Sequence, residues 1–131
     1  MTVEAIFSEE GLNAEQRKTL RALIDVVEMF RTLDSDMPTQ TMLAFLYTKV
    51  VEKENDFATV KCIAKELNTS NSSASRNIIA HTVHNRQLKG GTMLLESFEN
   101  PRKRNEKVVR LTNKGDKFLN LVLRRLGNAQ D

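Results

Sequence analysis

Residues 60–79 read Val60-Lys61-Cys62-Ile63-Ala64-Lys65-Glu66-Leu67-Asn68-Thr69-Ser70-Asn71-Ser72-Ser73-Ala74-Ser75-Arg76-Asn77-Ile78-Ile79. Val60, Ile63, Ala64 and Leu67 recur at helical spacing, and Asn68 tolerates the left-handed conformation that closes a helix. Thr69-Ser70 then offers an N-cap for a further helix, expected to run to about Arg86. Two helices joined by so short a turn make a helix-turn-helix.

Outward from this pair the pattern stays legible. Asn13 and Gln16 form a capping-box-like start, followed by Leu20, Leu23, Ile24, Val27 and Phe30 at helical period, so a first helix is expected over Ala14–Thr32. Val26 and Met29 widen its apolar surface, as in a helix that crosses a core or packs on a second chain. Asp34 to Pro38 reads as a turn, with Pro38 suited to the first position of a second helix carrying Met42, Leu43, Leu46 and Val50. That helix fades at Glu52 to Asp56, and Phe57-Ala58-Thr59 leads into the third. Beyond Gly90-Gly91, Thr92–Phe98 and Lys107–Leu111 read as strands around a loop from Glu99 to Glu106, with Pro101 barred from a paired strand. Thr112 caps a last helix bearing Phe118, Leu121, Val122 and Leu126. The order is α-α-(β)-α-α-β-β-α.

Composition narrows the function. At 131 residues the chain is one domain, able to fold without a disulfide or a metal. Hydrophobic residues at 40% make it too apolar for a disordered chain. Its apolar runs are too short for a membrane span, and Met1 to Glu10 lacks the apolar stretch of a signal peptide. A single cysteine, Cys62, suits a reducing compartment. With no Trp and one Tyr, little aromatic surface is left for stacking sugars or single-stranded bases. The net charge of +3 is unevenly spread: residues 1–66 hold 12 acids and 8 bases, residues 67–131 hold 5 acids and 12 bases. Between Glu66 and Glu96 there is no acid at all. Such a one-sided field suits a polyanion, nucleic acid before membrane.

On a wheel of about 100° per residue, the fourth helix places Ala74, Ser75, Ile78, Ile79, Thr82 and Val83 in one arc. Ser73, Arg76, Asn77, Ala80, His84 and Gln87 fall in the other, with His81 on the border. A solvated helix face usually mixes Glu with Lys; a face of Ser, Asn, His and Arg suits base edges and phosphates. Ser70, Ser72 and Ser73 add caps and phosphate contacts. The loop's Arg102-Lys103-Arg104 would reach phosphates or the minor groove beside that helix.

Other chemistry has less behind it. His81-x-x-His84 supplies two ligands at most, and no second His/Cys cluster completes a zinc site. Cys62 has no resolving cysteine and reads as a small buried hydrophobe. The serines lack a His/Asp set to orient a nucleophile, and there is no Gly-rich phosphate loop.

From about Pro38 to Leu123 the chain resembles the MarR-type winged helix-turn-helix transcription regulators. The resemblance rests on Ile63-Ala64-Lys65-Glu66-Leu67, on Ser70, on Ser75-Arg76, on Leu88 and the basic wing, and above all on Leu111-Thr112-Asn113-Lys114-Gly115. His81 stands where the family usually has leucine, Gln87 where glycine is common, and the wing lacks the usual aspartate. The resemblance implies a mainly α (α+β) fold with a two-stranded wing, a homodimer built on the N- and C-terminal helices, and a pseudopalindromic operator. It often brings a small ligand or oxidant as effector; the sequence identifies none.

The expectation is therefore an N-terminal arm and dimerisation helix over 1–37, a winged helix-turn-helix core over 38–111, and a C-terminal dimerisation helix over 112–131. Ser70, Ser72, Ser73, Arg76, Asn77, His84, Arg102, Lys103 and Arg104 are expected on double-stranded DNA. Leu20, Leu23, Val27, Phe118, Leu121 and Val122 are expected at the dimer interface. The function expected is a non-enzymatic, cytoplasmic and nucleoid-associated transcription regulator acting as a repressor, without cofactor, metal or membrane partner. The alternative is a winged-helix module whose basic wing docks on polymerase or another acidic protein.

Overall fold

A computed structural model of the chain describes residues 11–54, 57–83 and 91–130. Helix α1 spans Ala14–Leu33 and opens on a complete capping box: Gln16 N donates to Asn13 Oδ1 (2.8 Å), and Asn13 N donates to Gln16 Oε1 (3.0 Å). It buries Ala22, Val26 and Phe30, one residue per turn. Helix α2, Thr39–Glu54, buries Thr41, Ala44, Phe45, Thr48 and Val51. Pro38 stands just outside α2, its carbonyl accepting from Thr41 N and Met42 N, so it caps the helix rather than occupying its first position. A two-residue strand β1, Ala58–Thr59, leads into α3, Val60–Leu67, capped by the Thr59 hydroxyl and closed by Asn68 at φ 54°. The Ser70 hydroxyl caps α4, Asn71–Ile79.

Helix α4 is shorter than its sequence pattern suggests. His81 N and Thr82 N donate to carbonyls three residues back, and the His81 carbonyl accepts from Leu95 N (3.0 Å). With the His81 side chain fully buried, that strand contact turns the chain out of the helix axis after Ile79. The expected extension beyond residue 83, with His84 and Gln87, lies outside the described residues.

Strands β2 (Leu95–Asn100) and β3 (Lys103–Leu111) form an antiparallel hairpin, and β1 joins β3 to give the order β1-β3-β2. The expected eight-residue loop from Glu99 to Glu106 contracts to a turn at Pro101 and Arg102. Asn100 makes it possible: its Oδ1 accepts from Arg102 N (3.0 Å) and its Nδ2 donates to Glu106 Oε1 (3.1 Å). At the other end, positive φ at Gly91 and Met93 keeps the segment before Leu95 out of extended pairing.

Helix α5, Asn113–Gln130, starts where Gly115 N donates to the Thr112 hydroxyl (3.0 Å). That hydroxyl donates in turn to Met93 O. A Cβ at Gly115 would lie 2.1 Å from the Leu94 carbonyl oxygen, so the Leu-Thr-x-x-Gly segment is a backbone close approach that tolerates no side chain. Gly115→Ala is expected to lower the unfolding free energy by about 3 kcal/mol, as over-packing does. An unchanged urea midpoint would show instead that the Leu94 backbone yields freely.

The core centres on Phe30, Phe45 and Phe118, whose ring centroids lie 5.0–6.0 Å apart and meet edge to face. Phe118 and Val122, expected to face a second chain, are corrected by this packing. Phe118 turns inward onto Phe30 and Phe45, and Val122 is only 2% exposed within its own chain. Leu20 (47%), Leu23 (54%), Val27 (38%) and Leu121 (52%) remain exposed, joined by Ile24, Leu123 and Leu126. Asp25 and Arg125 pin α1 to α5 with a 2.6 Å ion pair.

Candidate nucleic-acid interface

The first turn of α4 carries no acid, and its amide groups lie at the positive end of the helix dipole. Facing it across a groove of about 590 Å³ stands the wing. Asn71, Ser72 and Ser75 line one wall, Lys61 of α3 adds a cation, and Lys103 and Lys107 of β3 form the other wall. Glu106 is the one acid among the lining residues and pairs with Lys103 at 3.8 Å. The groove is therefore a concave surface with an excess of positive charge, shaped to accept an anion. Lys61 and Lys107 went unnoticed in the sequence because nothing local joins them; the β1–β3 pairing brings them to one place.

The expected contact residues divide. Ser72 and Arg76 are exposed on α4, with Arg76 Nη2 donating to Ser73 Oγ (3.0 Å). The Ser70 hydroxyl accepts from Ser73 N (3.1 Å), so its first role is the cap. Arg102 and Arg104 are exposed at the hairpin tip, and Lys103 is 67% exposed. Asn77 differs from its expected role as a base reader. Its Oδ1 accepts from Thr41 Oγ1 (2.9 Å), and its Nδ2 donates to Ser73 O (3.1 Å) and Gln40 Oε1 (3.3 Å). Both donors of that amide and its oxygen are engaged within the protein. His84 lies outside the described residues. Arg110 is held on the hairpin away from the groove, 4.9 Å over the Phe98 ring and paired with Glu96.

His81 is fully buried just beyond the end of α4. Its Nδ1 meets Thr92 Oγ1 and its Nε2 meets Thr41 O, both at 2.7 Å. Burial pushes its pKa below 6.5, against smaller upward pulls from the Thr41 hydrogen bond and Asp34. With both nitrogens engaged, the ring has no lone pair to offer a metal. Among the described residues no group of three or more His, Cys, Asp or Glu is placed to hold one, and no helix is long and apolar enough to cross a membrane. Cys62 is half-buried and packs against the core.

The arrangement of a three-stranded sheet, a helix-turn-helix and long flanking helices has solved counterparts. The YusO protein from Bacillus subtilis matches with a TM-score of 0.56 at 15% identity, over 99% of this chain and 82% of that one. A variant of MepR from S. aureus bound to an oligodeoxyribonucleotide matches with a TM-score of 0.55 at 18% identity, over 87% and 78%. The fold is the winged helix that this chain shares with those structures. The PcaV transcriptional regulator from Streptomyces coelicolor, solved with its natural ligand, has a TM-score of 0.50 at 14% identity, over 92% and 80%. No family model and no curated protein matches the sequence. In winged-helix terms, α4 is the recognition helix and the β2–β3 hairpin is the wing.

Proposed function

We propose that this chain is a sequence-specific regulator of transcription that binds double-stranded DNA as a homodimer and acts as a repressor. The observation that carries the reading is the basic groove between the acid-free first turn of α4 and the wing. Its charge suits a duplex backbone, with α4 entering the major groove and Arg102 and Arg104 reaching phosphates alongside. Ser72, Ser73 and Arg76 are the side chains offered to the duplex from the helix, and Lys61 and Lys107 join Lys103 as phosphate contacts. The oligodeoxyribonucleotide on the similarly folded MepR variant supports the same reading.

Selection from a pool of random duplexes tests it: a reproducible enriched sequence is expected, and failure to enrich any sequence sinks the proposal. On the enriched duplex, Arg76→Ala is expected to cost about 1–3 kcal/mol of binding and to relax sequence preference. Joint replacement of Arg102 and Arg104 by alanine should weaken all duplexes about equally. A wing variant that altered the preferred sequence, beside an Arg76→Ala that did not, would reverse these roles.

A further inference from the structure

A buried histidine hydrogen-bonded through both nitrogens joins the end of the recognition helix to α2 and to Thr92, which α5 holds in turn. Lys114 Nζ of α5 donates to Thr92 O (2.8 Å), and the Thr92 hydroxyl meets His81 Nδ1. His81 Nε2 reaches the carbonyl of Thr41 in α2, whose hydroxyl donates to Asn77 Oδ1. Asn77 Nδ2 donates to Ser73 O, and Arg76 donates to the Ser73 hydroxyl. The Thr41 carbonyl only accepts, so Nε2 carries the proton and Nδ1 accepts from Thr92. An apolar side chain would fill the site without needing partners; the imidazole adds direction, at positions 40 and 11 residues away along the chain.

We infer that His81 is a positioning residue for the recognition helix: through Thr41 and Thr92 it holds Asn77, and with it Ser73 and Arg76, in one setting relative to α2 and α5. The linkage exists by geometry alone; its consequence for affinity rests on the DNA-binding reading. A second proton on the ring forces the Thr92 hydroxyl to turn from donor to acceptor. It also places a cation beside the residue whose carbonyl Lys114 grips. Asp34, in the turn before α2, is the charge that favours that proton, while Arg76 lies with it along the same cleft. Phe45, packed at 5.9 Å, brings no charge. Because the folded pKa lies below the ordinary value of 6.5, the unfolded chain takes the proton first. His81's contribution to stability is thus full above pH about 6.5 and is lost as the pH falls from there through the folded pKa.

The test follows the Asn77 side-chain amide by NMR in the free protein and measures affinity for the enriched duplex across the same pH range. In the unmodified protein the Asn77 resonances are expected to titrate with the His81 ring, at a midpoint below 6.5, with duplex affinity falling over the same interval. In His81→Leu that titration should vanish. At pH 8, His81→Leu and Thr92→Val are each expected to weaken binding by about three- to tenfold, and the pair together no more than the worse single change. Thr92→Val removes one hydroxyl from a filled site, so it keeps the test in force should His81→Leu fail to fold. Asn77 resonances indifferent to pH and to both substitutions, or both variants binding within twofold of the unmodified protein, would overturn the inference. A protein that bound no duplex would remove the DNA reading, and the Asn77 titration would still decide the linkage.

Discussion

Raising salt from about 50 to 200 mM is expected to reduce duplex affinity by about 10³–10⁵-fold, as when some 6–10 phosphates are neutralised. Each groove supplies Lys61, Lys103 and Lys107, with Arg102 and Arg104 at the tip of the wing. Two copies of that set, with Arg76 on each recognition helix, are enough to displace the counterions of so many phosphates. A log–log plot of affinity against salt should therefore be steep. Replacing Lys61 and Lys107 by alanine should flatten it by about one unit for each phosphate left without its cation, with the preferred sequence unchanged. A slope near zero would instead favour a winged helix that docks on an acidic protein.

Asp in place of both Leu23 and Leu121 is expected to give a folded monomer that fails to hold its operator at concentrations where the unmodified protein saturates it. Leu20, Leu23, Ile24 and Val27 form an exposed apolar stripe on α1, while Ala22, Val26 and Phe30 of the same helix are already buried. So many large apolar side chains left in water on one helix favour a partner surface, and a second copy of the chain is the simplest that fits. Pairing two chains about a two-fold axis would set the recognition helices about 34 Å apart, one turn of duplex. Each half-site then raises the effective concentration of the other, so dissociation removes several orders of magnitude of affinity while every DNA-facing residue stays as it was. Val122 is not a suitable target: a charge there would be buried in the core and would unfold the chain. Sedimentation of the unmodified protein decides first, because a monomer at micromolar concentration would remove the basis for the two-fold arrangement.

Much of the architecture was legible because it is written in short-range chemistry. Asn13 with Gln16, Ser70 and Thr112 all cap helices through bonds to residues three positions on. Asn68 takes the left-handed conformation its side chain tolerates. Each decision needs only a few neighbouring residues, so the sequence alone determined where the helices begin, that two of them form a helix-turn-helix, and that a cationic hairpin follows. It also marked Gly115 as part of a Leu-Thr-x-x-Gly pattern, though the reason for the glycine lay in the approach of Leu94.

What only the tertiary structure decided is which way the ambiguous side chains face. Asn77 and Arg76 are neighbours with similar claims on a helix wheel, yet Thr41, 36 residues earlier, draws the Asn77 amide inward and leaves Arg76 outside. His81 passed for a border residue until α2 and Thr92 closed over both its nitrogens. Phe118 and Val122 shared a stripe with Leu121, and the rings of Phe30 and Phe45 determined which part of that stripe was core. Lys61 entered the groove only when β1 paired with β3. Capping and period depend on atoms within one turn of the chain, whereas burial and hydrogen-bond partnership depend on surfaces brought together across dozens of residues. Local pattern carries no term for that encounter.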